Sequence, residues 1–169
     1  FCMGISFAIT PIETVEIKDK ELQKVLKVHA EAPTDSTKLQ ITNLINDVFD
    51  FKALSIKALG TEEWEKNTET QERFIAAFRG MVQKSSLKKL EVYKSDSASY
   101  SLIENEDGGT RTVAALVWNE GKKSELSYQM HKVGEEWKAW DLVIGGMSTL
   151  DNYKSLFSKL MKKKGYEGL

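Results

Sequence analysis

The chain has 169 residues, enough for one domain with a sizeable core, since a chain of about 150 residues buries roughly 68–70% of its unfolded surface. Hydrophobic residues make up 41% and charged residues 29%, the balance of an ordinary globular domain. Lys and Arg number 24 against 25 Asp and Glu, and the net charge of -1 excludes both a strongly basic nucleic-acid-binding protein and an acidic, disordered chain. Cys2 is the single cysteine, so neither an intrachain disulfide nor a cysteine-based zinc site can form. His29 and His131 stand far apart in sequence and make a weak metal pair.

Residues 1–10, FCMGISFAIT, are apolar and uncharged. They read as the tail of a secretory signal segment, with Ser6-Phe7-Ala8 as a small-x-small cleavage site, or else as a packed arm. Residues 11–169 then form a single domain. No stretch approaches the roughly 18 continuous apolar residues of a membrane span.

The first block, to about Tyr93, is helical. Leu22, Val25, Leu26 and His29 follow helical spacing until Pro33. Thr34-Asp35-Ser36-Thr37 can cap a second helix with a stripe of Leu39, Leu44, Ile45, Val48 and Phe49. Phe51, Leu54, Ile56 and Leu59 continue helically to a C-cap at Gly60, and Thr61-Glu62-Glu63-Trp64 starts a short helical turn. Thr68 or Thr70 opens what reads as the longest helix, with Phe74, Ala77, Phe78, Met81 and Val82 on one face.

The second block, roughly 97–145, is a four-strand antiparallel meander. Its strands run from Ser97, Thr110, Glu125 and Trp137. Its turns lie at Asn105-Glu106-Asp107-Gly108-Gly109, Asn119-Glu120-Gly121-Lys122 and Gly134-Glu135-Glu136. The strand from Thr110 is apolar on both faces, so it is either covered twice or central and curved. After Gly145-Gly146 a last helix runs from Thr149 to about Lys163. Ser148 is its N-cap, and its stripe is Leu150, Tyr153, Phe157, Leu160 and Met161. Helices packed on a curved antiparallel sheet make an α+β domain.

Catalytic motifs are missing: there is no G-x-S-x-G, P-loop, H-E-x-x-H or G-x-G-x-x-G. Asp141, between Trp140 and Leu142, is the most suggestive carboxylate. Buried among aromatics it could serve as a general base, but a carboxylate bonded to backbone or to a helix start is the stronger reading. His131, at a strand end, reads as exposed. His29 sits in the last turn of a helix, where a histidine is ordinary. Large apolar side chains are plentiful, and they line either a filled core or a cavity for an apolar ligand.

Two ordered segments carry a family resemblance. Phe49-Asp50-Phe51, Ala58-Leu59-Gly60, Trp64, Thr70, Gln71, Arg73-Phe74 and Phe78-Arg79 form the first. The second runs from Trp137 to Phe157 as WKAWDLVIGGMSTLDNYKSLF, and Gly165-Tyr166-Glu167-Gly168-Leu169 closes the chain in matching style. From about residue 35 onward the sequence resembles the MlaC, or toluene-tolerance auxiliary, family. Gly146, Met147, Trp140 and Lys154 stand where that family usually has Glu, Val, Tyr and Arg, and Lys at the last loses a bidentate fork.

The resemblance implies a cone-shaped fold related to nuclear transport factors, with a deep apolar pocket. It implies a non-enzymatic periplasmic phospholipid shuttle, exported and cleaved near Ala8, that maintains outer-membrane lipid asymmetry. Its partners would be an outer-membrane lipoprotein–porin complex and an inner-membrane ABC transporter. It needs no cofactor beyond its phospholipid cargo and no nucleic acid. By alternation Trp140, Leu142 and Ile144 share a face of the last strand, and Tyr128 and Met130 match them on its neighbour. Phe74, Phe78, Met81, Tyr153 and Phe157 from the helices complete the expected lipid pocket. The competing readings are a small isomerase or dehydratase of the same cone-shaped fold, with Asp141 as base, and a non-catalytic interaction domain with a solid core.

Overall fold

The computed structural model describes residues 9–88, 90–104 and 109–169. Residues 1–8 of the expected signal segment and 105–108 of the first expected hairpin turn lie outside them. Helix α1 spans Pro11–Glu31 and opens on a capping box: the Glu13 N–H donates to Thr10 Oγ1 (3.2 Å), and the Thr10 N–H donates to Glu13 Oε2 (2.8 Å). Pro11 takes the first helical position, where its missing N–H costs nothing. Val15, Leu22 and Leu26 form the buried stripe. With 21 residues α1 is longer than the 17-residue helix expected to be longest.

Helix α2 (Asp35–Asp47) repeats the capping box with Thr34 and Thr37. Its buried face is Ile41 and Ile45 with Thr37 and Thr42, while Leu39, expected inside, is 60% exposed. Asp50 caps α3 (Phe51–Leu59), accepting from the Ala53 N–H at 3.0 Å. Helix α4 (Thr61–Lys66) follows, then α5 (Gln71–Leu87), which buries Ile75, Phe78, Val82 and Ser86. That face is turned relative to the expected one, for Ala77 is exposed and Phe74 and Met81 are half-buried. Thr70 makes no capping bond; its hydroxyl instead meets the Tyr166 hydroxyl at 2.8 Å. A 3₁₀ turn, Leu90–Tyr93, leads into the sheet.

Strands β1 (Ser97–Glu104), β2 (Arg111–Asn119), β3 (Lys122–Val133), β4 (Glu136–Ile144) and β5 (Met147–Ser148) lie in that order, each antiparallel to the next. The two-residue β2–β3 turn needs positive φ twice, and Glu120 (49°) and Gly121 (74°) supply it. Val113, Ala115 and Val117 form the inner face of β2, and the first two are fully buried. Helix α6 (Thr149–Lys164) is capped by Ser148, whose hydroxyl accepts from the Asp151 N–H at 2.9 Å.

The register shifts between Gln129 and Met130: Gln129 pairs with Asp141, Met130 pairs with Ala139, and Trp140 is the extra residue of a bulge. Beside it the α2–α3 connector joins the β4 edge. The Ala139 N–H donates to the Val48 carbonyl (2.7 Å), and the Asp50 N–H donates to the Ala139 carbonyl (2.8 Å). Lys138 Nζ adds a bond to the Asp47 carbonyl (2.8 Å), and Lys18 pairs with the Asp47 carboxylate from α1. The helical layer is thereby stitched to the sheet along one line.

Candidate functional site

Two apolar spaces share a wall. The inner cavity, about 50 Å³, lies between α1, α2 and the inner face of the sheet. Leu22, Leu44, Ile45 and Val48 come from the helices; Ala115, Leu126, Met130 and Leu142 come from the strands. The outer chamber, about 360 Å³, is bounded by Ser85 and Ser86 at the end of α5, Ile144 and Met147 on β4 and β5, and Asn152 and Tyr153 on α6. Phe49, Val92, Tyr93 and Leu142 line both spaces. A third space, about 230 Å³, lies elsewhere, between α5, α6 and the C-terminal turn, and is lined by Phe74, Phe78, Met81, Phe157 and Leu169 among others.

The inner cavity has one polar end. The Tyr100 hydroxyl donates to Asp19 Oδ2 at 2.7 Å, while Gln23 Nε2 donates to Asp19 Oδ1 at 3.0 Å. Gln23 also holds the 3₁₀ turn, donating to the Tyr93 carbonyl (2.6 Å) and accepting from the Ser95 N–H (3.0 Å). Burial, reinforced by Asp19, pushes the Tyr100 phenol well above its ordinary range. Burial and then the Asp19 charge do the same to Tyr128. Burial also raises Tyr93, against the pull of its Ser86 hydrogen bond. These phenols are therefore neutral hydrogen-bonding groups at physiological pH. Such walls can hold an alkyl chain, each buried methylene of which gains about 0.8 kcal/mol.

A family model described as MlaC protein matches residues 18–169. The chain belongs to the MlaC family. A comparison with curated proteins gives no match. Among solved structures the chain is similar to a phospholipid-binding protein from Ralstonia solanacearum, solved in complex with a phospholipid. The TM-score is 0.78 at 21% identity, over 91% of this chain and 88% of that one. This likeness bears out the expected fold, helices on a curved antiparallel sheet.

The residues expected to line the lipid pocket fall into separate places. Tyr128, Met130 and Leu142 line the inner cavity, and Leu142, Ile144 and Tyr153 line the outer chamber. Phe74, Phe78, Met81 and Phe157 surround the third space instead. There Phe78 packs edge-on against Phe51, Tyr153 and Phe157, with centroids 4.7–6.3 Å apart. Trp140 lines none of the described cavities. The bulge takes it off the face of Leu142 and Ile144, and Lys57 Nζ sits 4.3 Å from its ring centroid.

The MlaC strand's Asp141 is a structural carboxylate. It is 5% exposed, accepting from Ser148 Oγ (2.7 Å) and the Leu150 N–H (2.9 Å), and so joins β4 to the start of α6. His131 is not the free surface histidine expected. Its Nε2 lies 2.9 Å from Asp50 Oδ2, tying β3 to the α3 cap, and neither residue lines a described cavity. His29 Nδ1 meets Thr37 Oγ1 at 2.6 Å, which ties the end of α1 to the α2 cap. No group of three His, Cys, Asp or Glu among the described residues could hold a metal, and no described helix is long and apolar enough to cross a membrane.

Sequence reasoning left α1 out of the site. Val15, Asp19 and Leu22 line the inner cavity, as do Tyr93 and Tyr100. The signal was present in Thr10-Pro11-Ile12-Glu13, a capping box with proline at the first position, followed by Val15, Leu22 and Leu26 at spacings of seven and four.

Proposed function

We propose that this MlaC protein is a phospholipid carrier rather than an enzyme. The observation that carries the reading is the inner apolar cavity in contact with a wider outer chamber, at the junction of sheet and helices. Family membership supports it, as does the likeness to a protein solved with a phospholipid bound. Acyl tails would lie against Tyr128, Met130 and Leu142 and run out past Ile144 and Tyr153, with the headgroup near solvent. Phe74, Phe78, Met81 and Phe157, also proposed as pocket residues, would back that wall, and Trp140, proposed with them, would flank it from the bulge.

Two acyl chains in a dry cavity are bound tightly, because the gain accumulates with each methylene. Release then requires a partner that opens the site or offers an equivalent one. The family resemblance suggests an outer-membrane lipoprotein–porin complex at one end and an inner-membrane ABC transporter at the other, with the carrier exported to the periplasm and serving outer-membrane lipid asymmetry. The chemistry needed is burial and exposure of tails, with no bond made or broken.

The test is mass spectrometry of an organic extract of the purified native protein. Phospholipid in near-stoichiometric amount is the expected result. An extract with no lipid, or one holding a small polar metabolite, would overturn the proposal.

A further inference from the structure

The chain has five tyrosines, and three of their hydroxyls have a hydrogen-bond partner among the described residues. Tyr93 meets Ser86 Oγ at 3.2 Å, Tyr100 donates to Asp19 and Tyr166 meets Thr70 Oγ1 at 2.8 Å, while the neighbouring Ser85 offsets part of the upward push of burial on Tyr153. Tyr128 has neither a bond nor a polar side chain of that kind beside it: its hydroxyl has no hydrogen-bond partner among the described residues. The ring stands on β3, opposite Val113 on β2 and Leu142 on β4, and lines the inner cavity. Tyr128 is half-buried, and a donor on a cavity wall with no protein partner is available to a guest that brings an acceptor.

We infer that Tyr128 is a specificity-determining residue whose hydroxyl donates a hydrogen bond to an ester carbonyl oxygen of the bound acyl lipid. This rests on the phospholipid-carrier reading. The choice of a neutral acceptor follows from the surroundings. Tyr128 lies within the field of the Asp19 carboxylate, which disfavours a phosphate or a free carboxylate beside it. Asp19 itself is occupied by Tyr100 and Gln23, and the nearby Lys18 ammonium is occupied by Asp47. The Tyr93 and Tyr100 hydroxyls on the same wall are bonded to Ser86 and Asp19, and Leu126, Met130 and Leu142 are aliphatic or thioether, so Tyr128 carries the uncommitted donor. Ester recognition at this point would fix the ester end of a tail beside Tyr128 and leave its methylenes to Met130, Leu142 and the outer chamber.

The experiment uses vesicles containing equal amounts of an ester-linked diacyl phospholipid and its ether-linked dialkyl analogue, with the same headgroup and chain length. Wild-type protein and Tyr128→Phe are incubated with them, re-isolated and extracted, and the two lipids are quantified by mass spectrometry. Wild type should enrich the ester lipid about tenfold, the scale of one buried hydrogen bond made or left unmade. Tyr128→Phe should load both lipids at a ratio near one, and its melting temperature should hold or rise because no protein partner is lost. Equal loading by wild type, or enrichment that survives in Tyr128→Phe, overturns the inference. A clear fall in the variant's melting temperature also overturns it, by showing that the hydroxyl serves the fold. If wild type loads neither lipid, the carrier reading fails and takes this assignment with it.

Discussion

The surroundings of Phe78 and those of Tyr128 are both apolar, but they are built differently. Around Phe78 the rings of Phe51, Phe74, Tyr153 and Phe157 interlock edge to face, and Phe78 is 1% exposed. Around Tyr128 the walls are mostly aliphatic side chains on a twisted sheet and two helices, with Phe49, Tyr93 and Tyr100 among them, and they leave a cavity with an unpaired hydroxyl on its wall. Aromatic rings from three helices pack closely on Phe78, although Phe74, Phe78 and Phe157 also border the third space. Short side chains on a sheet face cannot follow a helix that crosses it, so space remains. One region holds the fold together, and the other is where a guest can enter at little cost to the fold.

The sharpest test of that contrast is Phe78→Ala. It should cost about 3–5 kcal/mol in urea unfolding, as large truncations in rigid cores do. A loss under about 1 kcal/mol would mean that the cluster collapses around the gap and is no stiffer than the cavity. Ala115→Leu probes the other region, since Ala115 lines the inner cavity and is 2% exposed. The added methylenes enter existing space, so the cost should stay at the low end of the roughly 1–3 kcal/mol typical of overpacking, while co-purified phospholipid falls sharply. Severe destabilisation with unchanged lipid would reverse the assignment of the two regions.

A smaller effect should come from pH. Tyr93, Tyr100 and Tyr128 all line the inner cavity, and each is raised above its unfolded value of about 10. Such groups contribute stability that is fully present below about pH 10. It is lost as pH climbs toward the folded values, because the unfolded chain releases these protons first. The urea midpoint should therefore decline steadily above pH 10, with native protein showing less tyrosinate absorbance than unfolded protein at the same pH. A flat midpoint up to pH 11 would mean that these phenols already meet solvent.

The strands were the most legible part of the sequence. Alternation and turn chemistry located four of the five, and Tyr128, Met130 and Leu142 do share the inner cavity. Trp140 was misplaced because alternation has no means of registering an extra residue, and the bulge after Ala139 resets the faces. Helix α1 was read only from Leu22, since Ile17-Lys18-Asp19-Lys20-Glu21 dilutes its apolar stripe with charge. Leu39 sat at a helical spacing and still faces solvent, whereas Ile41 two positions on is fully buried. A helix's apolar stripe fixes its inward face only to within about a residue, and its neighbours choose among the options. The pairing of His131 with Asp50 spans 81 positions, a separation no local pattern carries.

The stitching of Asp47 to Lys138 has a consequence for how the protein is made. The two residues are 91 positions apart, and the line of bonds beside them closes the helical layer onto β4. Leu126, Met130 and Leu142 are also cavity walls, so a growing chain cannot enclose the inner cavity until β4 has emerged and docked. Contacts that distant form late, because the long loop between them must be closed first. Until then the apolar faces of α1 and α2 have no sheet to cover them. The segment that completes the container is also the one that ends the need for help in keeping those faces from other chains.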